Sequence, residues 1–314
     1  MKQALIFPGQ GSQSVGMGKE LAAAFVPARE AFEEVDDVLG QRLSKLMFEG
    51  PEDELTLTEN AQPAIMTVSM AVFRVLETEG GFSLADRASW VAGHSLGEYS
   101  ALTAAGALTL TEAAGLLRIR GRAMQDAAPV GVGAMAAILG LDLEAVVKVA
   151  AAAVAEGAEG DVCTAANDNA PGQVVVSGHA AAVERAVVLA KEAGARRVIM
   201  LPVSVPTHSA LMAPVAEIMD AALAEVALGT PAVPVVANVK AEAISAPDEI
   251  HAALVAQVTG MVRWRESVMW MVDQGVEKLV EVGAGKILSG LTRRIDKELE
   301  TQSLSVPADI EAFL

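Results

Sequence analysis

Val91-Ala92-Gly93-His94-Ser95-Leu96-Gly97 is an apolar run that stops at a serine between two glycines and continues into the alanine-rich segment 99–108. A strand, a tight turn and a helix in that order form a nucleophile elbow, which holds a hydroxyl out where an acyl group can reach it. The strand-like residues 89–92 come before the serine, and Glu98 and a set of small residues come after it. Both flanks therefore have the character an elbow requires. Acyl transfer or hydrolysis is the leading expectation, and with it a parallel sheet whose strand ends carry the chemistry.

Working outward, strand patterns recur at 4–7, 233–237 and 278–282, with helical patterns at 61–77, 112–127, 210–226 and 286–299. Alternating strand and helix implies a mostly parallel sheet covered on both faces. The stretch between them has another order: strand 134–139, helix 143–154, strands 162–166 and 173–177, helix 181–193, strand 197–201. That order is β-α-β-β-α-β, the ferredoxin-like arrangement. We expect an α/β fold with a large α/β-hydrolase-like domain from 1–128 and 201–314. An inserted ferredoxin-like small subdomain, 129–200, would hang over the cleft. The tail after Glu300 shows no pattern and is expected to be weakly structured.

Composition narrows the chemistry. The 314 residues are 52% hydrophobic but only 4% aromatic, so the core is built from Ala, Val, Leu, Ile and Met. A net charge of -17 excludes broad binding to nucleic acid or anionic membrane. The longest uncharged run, 198–216, is broken by Pro202, Pro206 and Pro214, so no transmembrane helix is expected. The N-terminal apolar run 4–7 is too short for a signal peptide, so the protein is expected in the cytoplasm. The single Cys163 excludes an internal disulfide, and His94, His179, His208 and His251 lack the spacing of a helical zinc motif. No metal is expected. The loop Pro8-Gly9-Gln10-Gly11-Ser12-Gln13 has Ser14 and Met17 where nucleotide motifs need glycine and lysine.

A serine nucleophile needs a base. His208 lies in Val205-Pro206-Thr207-His208-Ser209, at an extended run just before a helix, a junction that faces an active-site crevice. His94 is the weaker candidate, because neighbours in a tight turn point in different directions. Arg120 shares a helical stripe with Ala113, Leu116, Leu117, Gly121 and Met124, so a guanidinium sits where the pattern asks for an apolar group; Arg118 and Arg122 fall off it. Buried without a partner it would cost about 3 to 5 kcal/mol. Spacing alone leaves its partner open between an acidic residue of the chain and a substrate carboxylate.

Phe7-Pro8-Gly9-Gln10-Gly11-Ser12-Gln13, Gly93-His94-Ser95-Leu96-Gly97-Glu98-Tyr99, Arg120-Gly121, Pro206-Thr207-His208 and Glu281-Val282-Gly283-Ala284-Gly285-Lys286, in this order, resemble the malonyl-CoA:acyl-carrier-protein transacylase family. The likeness runs from about residue 3 to residue 295. It implies a malonyltransferase of fatty acid synthesis that needs no cofactor, with malonyl-CoA as substrate and an acyl carrier protein as acceptor. It further implies a dyad of Ser95 and His208, an oxyanion hole from the N–H groups of Gln10 and Leu96, and Arg120 on the malonyl carboxylate. By the same resemblance the main-chain carbonyl of Gln257 orients His208, and Asn167, Asn169 and Gln62 line the cleft. The family's Gly-Pro-Gly-Lys reads Gly-Ala-Gly-Lys here. A transacylase of a polyketide or malonate decarboxylase system would share these residues, whereas a serine hydrolase or thioesterase would not need the inward arginine. An acidic carrier would need a basic patch, for which Arg196, Arg197, Arg118, Arg122 and Lys286 are candidates.

Overall fold

The computed structural model describes residues 2–129, 131–203 and 205–314. Val130, in the expected small subdomain, and Ser204, in the expected extended run before His208, lie outside the described residues.

Among the described residues the strands are β1 (Gln3–Phe7), β2 (Trp90–Gly93), β3 (Gly133–Leu139), β4 (Cys163–Ala170), β5 (Gln173–His179), β6 (Arg197–Met200), β7 (Val235–Ala237), β8 (Glu242–Ile244), β9 (Lys278–Val282) and β10 (Glu300–Leu304). The larger sheet has the order β10-β9-β1-β2-β7-β8. All its pairings are parallel except that of β8 with β7. Central β1 is Ala4-Leu5-Ile6-Phe7, fully buried. A parallel strand covered on both faces reads as a continuous apolar run, and this one does. Leu5 and Phe7 join the core beneath one helical layer, Ala4 and Ile6 the core beneath the other.

The smaller sheet, β4-β5-β3-β6, is antiparallel. Strand residues alternate between faces. Accordingly Ala134, Ala136 and Ile138 of β3 pack against helices Leu143–Ala155 and Ala180–Glu192, while Met135 and Ala137 join Val175, Leu201 and Val203 on the other face. That second face looks toward the cleft.

Three expectations need correction. The tail after Glu300 is ordered: β10 pairs with β9 in parallel and helix Pro307–Phe313 follows, burying Ile310. The helix expected over 286–299 ends at Ile295, with Asp296 extended as its cap. The helix expected from 210 opens as a 3-10 turn, Ala210–Met212, before Ala213–Ala224. After β9, Gly283 and Gly285 both take left-handed backbone, with φ of 131° and 75°. The glycines of that turn thus suffice to form it with alanine between them. Among the described residues no helix is long and apolar enough to cross a membrane.

Candidate active site

The elbow is made possible by its two glycines. A Cβ on Gly93 would lie 1.9 Å from the carbonyl carbon of Gly97, and one on Gly97 would lie 2.3 Å from the Phe7 oxygen. No side chain fits either gap, so β2 and helix Gly97–Ala104 can approach β1 only with glycine at both positions. Between them Ser95 takes φ 53°, left-handed backbone that a serine adopts at a cost of about 1 kcal/mol or more. Its main chain is held on both sides: Ser95 N–H donates to Asn238 Oδ1 at 2.7 Å and Ser95 O accepts from Gln257 Nε2 at 3.0 Å.

His208 also has left-handed backbone, φ 58°, and is 2% exposed. Its Nδ1 faces two carbonyl oxygens, Gln257 at 2.8 Å and Gly260 at 3.0 Å. Carbonyls only accept, so Nδ1 carries the proton and Nε2 is left bare. That Nε2 lies 2.8 Å from Ser95 Oγ. Burial, then the Arg120 cation and His94, push the His208 pKa down to about 3, against the two carbonyls that raise it. The imidazole is therefore neutral at physiological pH and free to take a proton from serine.

Arg120, on helix Leu110–Ala127, is 1% exposed. Nη1 donates to Gln62 Oε1 at 2.8 Å, and Nη2 to Ser95 Oγ at 3.1 Å and Gln257 Oε1 at 3.0 Å. Nε has no partner, and among the described residues no carboxylate comes within ion-pair distance. The cation is solvated by amides and left with spare donors. Burial lowers its pKa, with Tyr99 and Glu98 opposing. The salt-bridge alternative raised by the helical stripe has no counterpart here.

A cavity of about 240 Å³ opens over these groups, lined by Gln10, Ser95, Arg120 and His208 and, from the smaller sheet, by Met135 and Val175. Asn167 and Asn169 of β4 line it too, and Asn169 Oδ1 lies 2.8 Å from His94 Nε2. His94 thus spans from the elbow to β4, its Nε2 turned away from Ser95. Gln62 stands one layer back, buried behind Arg120 instead of on the wall. The backbone N–H groups of Gln10, in the turn after β1, and Leu96, at the start of the elbow helix, find no partner among the described residues. A helix N-terminus favours negative charge, so these free donors suit an oxyanion. Arg118, named above as a docking cation, is instead 7% exposed and tied to Gln41, Asn60 and Glu59. Among the described residues no group of His, Cys, Asp and Glu could hold a metal.

Sequence reasoning passed over Asn238 and Glu98. Asn238 follows β7 directly, and the rule that sites gather at the carboxyl ends of parallel strands points to it. It holds Ser95 N–H, gives Nδ2 to Gly93 O at 2.6 Å and its own N–H to Glu98 Oε2 at 3.1 Å. Glu98 is buried in the first turn of the elbow helix, where sequence reads an acid as an exposed helix-start charge.

The family profile described as "Acyl transferase domain" matches residues 4–304. The chain is 47% identical over 311 residues to a protein of Escherichia coli K12 named malonyl CoA-acyl carrier protein transacylase, covering 99% of this chain and 98% of that one. A crystal structure of acyl-carrier-protein-S-malonyltransferase from Bartonella henselae superposes with TM-score 0.96 at 53% identity, covering 100% of this chain and 98% of that one. A malonyl-transacylase solved in complex with its type II PKS acyl-carrier protein superposes with TM-score 0.94 at 43% identity, covering 99% and 98%.

Proposed function

The chain belongs to the acyl transferase domain family, and from that premise we propose that it moves a malonyl group from malonyl-CoA to the phosphopantetheine thiol of an acyl carrier protein, in fatty acid synthesis. The observation that carries the reading is Arg120: a buried cation with no carboxylate at ion-pair distance among the described residues and Nη2 3.1 Å from Ser95 Oγ. A malonyl carboxylate supplies the missing anion and can accept two parallel N–H bonds from the guanidinium.

The reaction follows from the geometry in two halves. Ser95 Oγ attacks the thioester carbon while its proton passes to His208 Nε2. The oxyanion rests on the N–H groups of Gln10 and Leu96, each worth about 10² to 10³ in rate. Collapse breaks the C–S bond, His208 returns the proton to the leaving sulfur, and CoA departs, leaving malonyl-Ser95. The carrier thiol then gives its proton to His208, attacks the ester and regenerates the serine. Gln257, through its main-chain oxygen, keeps the imidazole in the required tautomer. CoA thioester is a substrate here, no resident cofactor is needed, and the reaction is placed in the cytoplasm. Residues 129–200 act as an inserted subdomain that closes the cleft with Asn167 and Asn169.

Intact-mass measurement after mixing with malonyl-CoA tests this. The wild-type protein should gain one malonyl group, Ser95→Ala none, and His208→Ala should acylate slower by about 10³-fold or more. An adduct on Ser95→Ala at the wild-type rate would remove Ser95 as nucleophile, and turnover to free malonate with no adduct would favour a thioesterase.

A further inference from the structure

Gln257 touches Ser95, His208 and Arg120 at once, and its amide faces one way. Its main-chain oxygen holds His208, its Oε1 accepts from Arg120 Nη2 at 3.0 Å, and its Nε2 donates to Ser95 O at 3.0 Å. Reversed, it would set an NH₂ against the guanidinium and an oxygen against the Ser95 carbonyl. A fourth partner reinforces the observed orientation. Glu98 Oε2 accepts from Gln257 Nε2 at 2.8 Å and from Asn238 N–H at 3.1 Å. Asn238 in turn holds Ser95 N–H and the Gly93 carbonyl. One carboxylate oxygen thus ties the His208 and Arg120 side of the site to the Ser95 elbow.

Glu98 is 1% exposed and has no Lys, Arg or His at ion-pair distance among the described residues. A buried carboxylate without a direct cation is costly and is kept where something depends on it. The nearest compensating charge is Arg120, reached across the Gln257 amide. We propose that Glu98 is a positioning residue for acyl transfer, which in its anionic form holds Gln257 and Asn238 so that His208 and Arg120 both face Ser95 Oγ. The proposal rests on the malonyl-transfer reading above.

The groups that bear on Glu98 are Arg120 from helix Leu110–Ala127, Gln257 from helix Pro247–Thr259, Asn238 after β7, and Tyr99 on its own helix, with His208 beyond Gln257. Burial pushes the Glu98 pKa up to about 7, against Gln257, the Asn238 N–H and Arg120, which all favour the anion. His208, held at about 3, does not titrate near neutrality. The sign follows: above about pH 7 Glu98 is the anion that accepts both donors, and as pH falls through that value it takes a proton and stops offsetting Arg120. An acid limb in the pH–rate profile is therefore expected from Glu98 and not from the catalytic histidine.

The test is kcat/KM for malonyl-CoA, with acyl carrier protein as acceptor, from about pH 5.5 to about 8.5, a parameter that reports ionisations of the free enzyme. Wild type should fall through a midpoint near 7 and level off at acid pH near the value of Glu98→Gln, because the protonated carboxyl is as neutral as the amide. Glu98→Gln keeps an oxygen for both donors but cannot titrate, so its profile should be flat, about threefold to tenfold below the wild-type plateau. Glu98→Ala loses the oxygen as well and should lower kcat about 100-fold, with partial recovery in the glutamine variant. If the alanine protein does not fold, Glu98→Gln decides alone. An acid limb of the same midpoint in Glu98→Gln, or a Glu98→Ala within about twofold of wild type, overturns the role. Wild-type protein that forms no malonyl-serine ester overturns the function and this role together; one that forms the ester while the limb persists in Glu98→Gln overturns Glu98 alone.

Discussion

Helix Leu110–Ala127 buries two arginines two residues apart in the chain, on different sides of the helix, and their surroundings differ in one respect. Arg118 reaches Gln41, Asn60 and the carboxylate of Glu59, which lies 3.4 Å from Nη1. Arg120 reaches Gln62, Gln257 and Ser95, all neutral. A guanidinium closed by the chain's own acid contributes to the fold. One surrounded by amides and a hydroxyl, beside an open cavity, keeps its charge available to a ligand. The first belongs to stability and the second to recognition, although both are buried cations on one helix.

The comparison is tested hardest by Arg120→Ala. Malonyl transfer should fall about 10³-fold, because the substrate's carboxylate would then be buried without a partner. Acetyl-CoA carries no carboxylate, so its transfer should hold or improve. Melting temperature should hold, since the gain from removing a desolvated cation is offset by leaving the buried Glu98 without its nearest positive charge. Parallel kinetics with the two thioesters and a thermal melt decide it. Equal loss of both activities, or an unfolded protein, would return Arg120 to the structural class with Arg118.

Arg118→Ala should do the reverse. It takes one donor each from Gln41, Asn60 and Glu59, of which Asn60 keeps Gln41 Nε2 and Glu59 keeps Arg122 Nε, a loss of about 2 kcal/mol, equivalent to roughly 4 to 6 °C in melting temperature for a chain of this size. Acyl transfer per folded molecule should stay within about twofold, because Arg118 touches no group of the cleft. A selective loss of malonyl transfer in this variant would show that the two faces of the helix are coupled.

How far the chain was readable before folding follows the same division. The elbow was legible because its pattern is local: two glycines flank the serine within five residues, Gly93 for the closeness of the turn itself and Gly97 for the closeness of Phe7. Arg120 stood out because a cation interrupts an apolar stripe, but its want of an anion is a property of what other segments fail to bring. Glu98, Asn238 and Gln257 are polar residues whose burial is decided by helices and strands far apart in sequence, so no period in the chain marks them. β10 was missed for the opposite reason. Glu300-Thr301-Gln302-Ser303-Leu304 has one apolar residue, and this edge strand is held by main-chain pairing with β9, which leaves no hydrophobic signature.

The smallest effect is expected at Arg122, which shares Glu59 with Arg118. Its Nε lies 2.9 Å from Glu59 Oε2, shorter than the Arg118 contact, and its hydrogen bond is the leading cause holding the Glu59 carboxyl below its ordinary range. Proximity alone would make it the stronger tie. Yet its side chain is 63% exposed, so water and salt screen the pair, and exposed ion pairs are worth about 0 to 1 kcal/mol. Arg122→Ala should therefore shift the melting temperature by no more than about 2 °C, well short of Arg118→Ala, and by still less in added salt. A loss as large as that of Arg118→Ala would mean that the charge on Glu59, and not the burial of its partner, sets the stability of this face of the helix.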